Sequence, residues 1–233
     1  MPKSNASLGL RADSSNTVAG PAKARGAIRR SSAMGESNTR NRLLRAAATE
    51  IARHGFKGAT LRGVAARADI RAASIFHYFP EGKEELALAM LQHIMDTIAT
   101  RMTPTIDAGG DLPAADLIVK CAAQLWDFMG EYPEYAGALM REAFEPDEET
   151  MLQVIRDNGV RIVTLATVYM ESQQAAGKLA KFDVGRFLFR LASFTITFHA
   201  SSTMRTYILG PDFSARDERE AFLESIRREI TPA

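Results

Sequence analysis

The stretch Thr60–Lys83, TLRGVAARADIRAASIFHYFPEGK, decides how the rest of the chain is read. Leu61, Val64 and Ala65 stand one helical turn apart and give a short helix with one buried face, while Thr60 stands where its hydroxyl can cap the open N–H groups. Asp69, in Ala68-Asp69-Ile70, occupies the point where the chain must leave helical geometry, a departure that Asp tolerates better than most residues. A second helix is expected from about Arg71 to Tyr78. Its Ile75 and Phe79 turn inward, and Arg71, Ala72, Ser74, His77 and Tyr78 stay outside, available to another surface. Pro80 and Gly82 stop it.

Two short helices joined by a tight turn form the helix-turn-helix pattern, whose second helix enters the major groove of DNA. The surrounding residues make the reading more specific. Thr39-Arg40, Leu43-Leu44, Ala46-Ala47, Gly55-Phe56, Thr60-Leu61-Arg62, Val64-Ala65, Ala68, Ser74-Ile75-Phe76-His77-Tyr78-Phe79 and Lys83-Glu84-Glu85-Leu86 together resemble the DNA-binding domain of the tetracycline-repressor (TetR) family of bacterial transcription regulators. The likeness covers about 48 of 233 residues, Thr39 to Leu86. The chain departs from the family pattern at four places, with Gly63 for the usual acidic residue, Asp69 for Gly, Arg71 for Ser or Thr, and Phe76 for Tyr. Gly63 should loosen the first helix by about 1 kcal/mol relative to Ala. Arg71 gives up a helix cap and places a guanidinium at the groove end, where it reads guanine or holds a phosphate. The Pro80-Glu81-Gly82 linker is one residue longer than the commonest family form.

Charge supports the same division without any appeal to resemblance. Residues 1–36 carry a net +4, residues 37–83 a net +6 and residues 84–233 a net −9, although the whole chain carries only +1. Positive charge on the reader and its leader favours a nucleic-acid partner for that part, because neutralising phosphates releases counterions. Apolar residues make up 46% of the chain, enough for a sizeable core, and Ala and Leu dominate over the 8% of aromatics, which favours helices. The single Cys121 excludes an internal disulfide and fits a reducing cytosol. No apolar run approaches the length of a membrane span, so a soluble, cytoplasmic protein without a membrane partner is expected.

Upstream of the reader, residues 1–36 show no periodicity and read as a disordered basic arm. The alternative is that translation starts at Met34, which removes the arm. If the arm is present, Arg25, Arg29 and Arg30 can add phosphate or minor-groove contacts. Asn38 or Ser37 caps a first helix running to about His54, with Leu43, Leu44, Ala47, Ala48 and Ile51 on one face; Gly55 ends it and Phe56 plugs the core. Arg42 and Arg45 are either phosphate contacts or solvated cations, and Arg40 is the better phosphate candidate.

Downstream, helices are expected from Lys83 to near Met102, from Pro113 to Gly130, from Pro133 through Phe144, from Pro146 onward with Asp147, Glu148 and Glu149 at its positive end, from Asp183 to about Leu209, and from Ala215 to Ile230. Breaks fall at Thr103-Pro104, Gly177 and Gly210-Pro211. The 183–209 helix is apolar around most of its circumference, which means burial on several sides. The resemblance implies that the last two long helices pack against those of a second copy, and that the helix from Lys83 transmits ligand binding to the reader.

The sequence thus leads to an all-α chain: a helix-turn-helix DNA-binding domain at 37–83 and a larger helical ligand-binding and dimerisation domain at 84–233. DNA contacts are assigned to Arg71, Ala72, Ser74 and His77 at base edges, and to Arg40, Thr60, Tyr78 and Lys83 on phosphates. As two recognition helices would enter major grooves a turn or a multiple apart, a homodimer on a roughly palindromic operator in double-stranded DNA is expected. The resemblance further implies a small-molecule effector, mostly apolar, lined by Trp126, Phe128, Met129, Met140, Phe144, Tyr169 and Phe194, with Arg141, Arg190 and His199 for a polar or anionic group; each of these also suits plain core packing. Catalysis finds little support. Histidines 54, 77, 93 and 199 lack metal-ligand spacing, no phosphate loop or nucleophile elbow is present, and Cys121 sits on an apolar helical face. No enzyme activity, cofactor or metal is expected. The resulting function is a transcription regulator, read as a repressor with an activator as the narrower alternative, and with a helical ligand-binding or scaffold protein that no longer reads DNA as the rival from another class.

Overall fold

The structure, a computed structural model, describes the backbone of residues 21–144, 160–210 and 212–232, and the side chains of 37–141, 162–210 and 212–232. It is all-α. Ten α-helices occur among the described residues: α1 (Pro21–Gly58), α2 (Leu61–Ala68), α3 (Ile75–Tyr78), α4 (Lys83–Asp107), α5 (Ala114–Glu131), α6 (Pro133–Phe144), α7 (Val160–Ala175), α8 (Val184–Ala200), α9 (Ser202–Leu209) and α10 (Ala215–Ile230). None is long and apolar enough to cross a membrane. The chain divides into two compact units, Met1–Asn38 and Thr39–Ala233.

Four expected boundaries are corrected. Residues 21–36 are helical, whereas an irregular arm ending at a cap on Ser37 or Asn38 was expected. Ala22, Ala24 and Ala27 are strong helix formers, and Pro21 costs nothing at a first helical position, where its missing N–H would have no partner. Helix α4 continues past Met102, through Pro104 to Asp107. Pro104 cannot donate to the Thr100 carbonyl, but the turn persists, with the Thr103 hydroxyl donating to the Ala99 carbonyl at 2.9 Å. The expected 183–209 helix is two, broken at Ser201 (φ −111°, ψ 58°). There the Arg205 guanidinium donates to the Phe198 carbonyl, the acceptor that an unbroken helix would offer to the Ser202 N–H. The recognition helix opens with a 3-10 turn, Ala72–Ser74, before the α-helical Ile75–Tyr78. Arg71 supplies no side-chain cap, and the Ser74 N–H closes the turn on the Arg71 carbonyl at 2.9 Å. The helix expected from Pro146, with its acidic start, lies outside the described residues up to Val160.

Two hydrophobic cores organise the Thr39–Ala233 unit. The first joins Leu43, Leu44, Ala47, Ala48 and Ile51 of α1 to Val64, Ala65 and Ala68 of α2, to Ile75 and Phe79, to α4, and onward to Phe128, Met129 and Tyr135. The apolar stripe expected on α1 is buried to within 3% exposure throughout. Fully burying one such Leu or Ile stabilises by roughly 1.5–3 kcal/mol, so this shared core fastens the reader to α4 and to the α5–α6 corner. The second core gathers Ala114, Ile118 and Ala122 of α5, Met170 of α7, Phe187 of α8 and Ile226 and Ile230 of α10. Helix α10 clamps α5 of its own chain with one face. Arg219 grips Asp127 through two bonds of 2.7 Å, and Arg227 pairs with Asp116.

Candidate nucleic-acid interface

Residues of the turn set the recognition helix at a defined angle. The Thr60 hydroxyl accepts the Gly63 N–H at 3.0 Å and starts α2. Asp69 ends it in the left-handed conformation (φ 52°, ψ 53°), its N–H turned back toward the Ala65 and Ala66 carbonyls. Arg42 of α1 donates to the Ala68 carbonyl, so the turn is held from outside as well. Cations near the last carbonyls of a helix also suit its dipole. Arg42 is therefore a structural clasp rather than a solvated charge.

Gly63 has a reason that its helix propensity does not reveal. The carboxylate of Glu50, on α1, is buried to 6% exposure directly against it, and a Cβ on residue 63 would lie 2.0 Å from Glu50 Oε1. Arg67 Nε pairs with that carboxylate at 2.8 Å. Burial opposes ionisation of Glu50, but the hydrogen bond and charge of Arg67 outweigh it and hold the carboxyl below its usual range. The acidic partner of Arg67 thus comes from α1, and a side chain at 63 would exclude it. A carboxylate on the buried side of α1, beside Ala47 and Ile51, was the signal in the sequence that could have pointed to this pair.

On the recognition helix, Ile75 and Phe79 are 0% and 1% exposed, while Arg71, Ala72, Ala73, Ser74 and His77 are exposed. The base-edge residues expected from the sequence thus share one solvent face. Tyr78 is half-buried, with its ring edge-on to His77 at 5.1 Å. Arg40 is exposed, with its guanidinium 5.4 Å over the Phe79 ring. Lys83 differs from the rest. Its Nζ donates to the Phe56 carbonyl at 3.1 Å and lies 4.6 Å over the Phe56 ring, so it anchors the start of α4. Phe76, which stands where the resembled family has Tyr, is 51% exposed.

Of the expected ligand-lining residues, Trp126, Phe194 and His199 come together and the other described ones lie apart from them. Phe128 and Met129 are packed into the first core. Trp126, 3% exposed, sits in an aromatic cluster with Phe194, Phe198, His199 and Phe222, at centroid distances of 4.5 to 6.1 Å. Tyr169 packs against the second core. Met140 accepts from the Ser201 hydroxyl, Arg141 is half-buried on α6, and the Phe144 side chain lies outside those described. Arg190 is an exposed partner of Glu229 on the rim of an open surface groove of about 560 Å³, lined also by Asp183, Arg186 and Phe189. Burial, reinforced by the charge of Arg205, pushes the pKa of His199 down to about 4, and its buried Nε2 has no hydrogen-bond partner.

The reader also touches the C-terminal helices directly. The Arg45 guanidinium pairs with Glu134 of α6 at 2.9 Å and lies 5.0 Å over Tyr132. Gly137 brings α6 so close to α1 that a Cβ there would meet Ala52 Cβ at 2.9 Å. Arg101 of α4 pairs with Glu131 at 2.6 Å and lies over Phe128 and Tyr132. The α5–α6 corner therefore engages α1 and α4 together.

Against this geometry, residues 43–90 match the family model described as bacterial regulatory proteins, tetR family. No curated protein matches the chain. Among solved structures, the chain is similar to a bacterial regulatory protein of the tetR family from Rhodococcus RHA1, at 19% identity over 84% of this chain and 98% of that one, with a TM-score of 0.66. It is similar to the ketosteroid transcriptional regulator KstR2 of Mycobacterium tuberculosis, at 18% identity over 83% and 95% of the chains and a TM-score of 0.65. It is also similar to the transcriptional regulator FadR from Bacillus subtilis in complex with stearoyl-CoA, at 17% identity over 81% and 98%, with a TM-score of 0.62. The match over 43–90 places a tetR-type reader in the sequence, and the structural likenesses show the shared all-α fold.

Proposed function

We propose that this chain, a tetR-type reader on the fold of tetR-family regulators, is a sequence-specific transcriptional repressor released from a palindromic operator by a small-molecule effector. One observation carries the reading. Arg71, Ser74 and His77 stand side by side on the solvent face of a helix whose opposite face is locked by Ile75 and Phe79, within a segment of net charge +6. In this reading Arg71 takes a base-edge contact and Arg40, Thr60, Tyr78 and Lys83 take phosphates. The departures that favoured a protein no longer reading DNA are accommodated: Gly63 admits Glu50, and Asp69 takes the left-handed turn that Gly would.

A homodimer supplies the two readers. Val163, Leu165 and Val168 on α7 and Phe189 on α8 are each more than half exposed and offer an apolar surface for the second copy. The similarity to a ketosteroid transcriptional regulator and to a FadR in complex with stearoyl-CoA supports a mostly apolar effector here as well. Its binding among α5–α8 would reach the reader by two routes, along α4 and through the Arg45–Glu134 contact of α6 with α1.

Electrophoretic mobility shift on the chain's own upstream DNA, with competitor DNA and a salt series, tests the reading. A discrete complex that resists competition and loses affinity with a log–log slope of about −0.9 per phosphate contacted is expected. Only diffuse, competitor-sensitive binding, there and in a selection from random duplexes, would instead establish the helical ligand-binding protein.

A further inference from the structure

Phe76 presents a ring to solvent from the element that is otherwise the polar face of the reader. It is 51% exposed, although Ile75 and Phe79 on either side are buried completely. Its place is nevertheless defined: the ring edge lies 3.7 Å from the point where a Cβ on Gly82 would stand, with Leu61 at 3.9 Å from the same point. Ala72 and Ala73, in the 3-10 turn one turn ahead of Phe76, are exposed as it is, so the element carries three exposed apolar side chains. Arg71, Ser74 and His77 supply the polar remainder. No Asn or Gln occurs from Arg71 to Tyr78, which leaves adenine without its usual bidentate partner. Of the features that base pairs display in the major groove, the C5-methyl of thymine is the one an apolar side chain reads.

We propose that Ala72, Ala73 and Phe76 determine operator specificity by packing on thymine methyl groups, with Phe76 as the principal contact. The proposal rests on the DNA-reading function above and names the base chemistry that this face selects. The methyl sits in the groove beside the guanidinium of Arg71, so a half-site combines a thymine under the ring with a guanine or phosphate under the cation.

The test uses the full chain and a duplex selected with it from a random pool. Each thymidine of the selected half-site is replaced in turn by deoxyuridine, which keeps base pairing and removes only the methyl. At one or two positions the affinity should fall about four-fold per methyl, the value of burying a methylene-sized group. In Phe76→Ala the same replacement at the position under the ring should produce no further fall, because the two changes remove one contact. A discrete complex indifferent to deoxyuridine at every position would overturn the methyl reading and leave DNA recognition standing. An equal fall in both proteins would assign the effect to duplex shape and overturn the role of Phe76. Failure to select any duplex would overturn both readings. The deoxyuridine series on the unaltered chain decides the methyl reading whatever Phe76→Ala does to the fold.

Discussion

The recognition helix and the aromatic cluster around Trp126 use similar materials in opposite ways. The first buries two side chains and shows the rest to solvent; the second withdraws Trp126, Phe198 and the His199 Nε2 from it. A surface that binds a polyanion must be charged, polar and outside, and these are unusual demands on a helix. A site for an apolar ligand is made of the same residue types as a core, in the same places. The two regions therefore respond differently to substitution.

The comparison is most exposed at Trp126. Trp126→Ala should lower stability by about 3–5 kcal/mol in denaturant unfolding, as truncation of a fully packed aromatic does. A loss below about 1 kcal/mol would mean that the ring borders open space, and the second region would then resemble a ready pocket. Arg71→Ala should do the converse. It should weaken binding to a selected duplex by the worth of a base contact, about 1–3 kcal/mol, with no change in unfolding midpoint. Retention of full affinity would remove Arg71 from the reading face.

Gly63→Ala sharpens the comparison because two physical effects oppose each other. Helix propensity alone favours Ala by about 1 kcal/mol, whereas crowding a filled site costs about 1–3 kcal/mol. With Glu50 Oε1 2.0 Å from the new Cβ, crowding should win and leave a net loss of about 1 kcal/mol. A stabilised variant would show that the Glu50–Arg67 pair moves aside freely.

A further effect expected is the pH dependence due to His199. Its folded-state pKa of about 4 lies below the ordinary 6.5, so the unfolded chain takes up the proton first. This contribution to stability is complete above about pH 6.5 and is lost as the pH falls toward 4. Unfolding midpoints at several pH values should show a steeper decline in the native chain than in His199→Gln; equal slopes would place the imidazole in water.

What could be read in advance follows the same physical division. The α1 stripe from Leu43 to Ile51, the Thr60 cap and the left-handed Asp69 were legible because each is a local pattern with one local cause. The clasp of Arg42 on Ala68, the pair of Glu50 with Arg67 and the approach of Gly137 to Ala52 join residues 15 or more positions apart, and no periodicity announces them. The break at Ser201 is more local, with Arg205 reaching back seven residues to the Phe198 carbonyl, but it too lacks a periodic signal. Of the site, the exposed polar face was legible and Phe76 was not, because an aromatic residue next to two buried ones reads as core. Trp126, Phe194 and His199 were singled out as lining residues and do meet, but around one another.

The vacancy at Gly63 bears on how such a reader can change by descent. The family's usual acidic residue at this position and a buried Glu50 would claim the same space, so the two arrangements of the acid are mutually exclusive. A lineage passing between them one substitution at a time has two orders available. If Glu50 arises first, two carboxylates are forced together inside the domain; if the glycine arises first, Arg67 lacks a partner only at a half-exposed position. The second order is the gentler one, because a cation without a partner near the surface costs less than two carboxylates crowded together inside the domain.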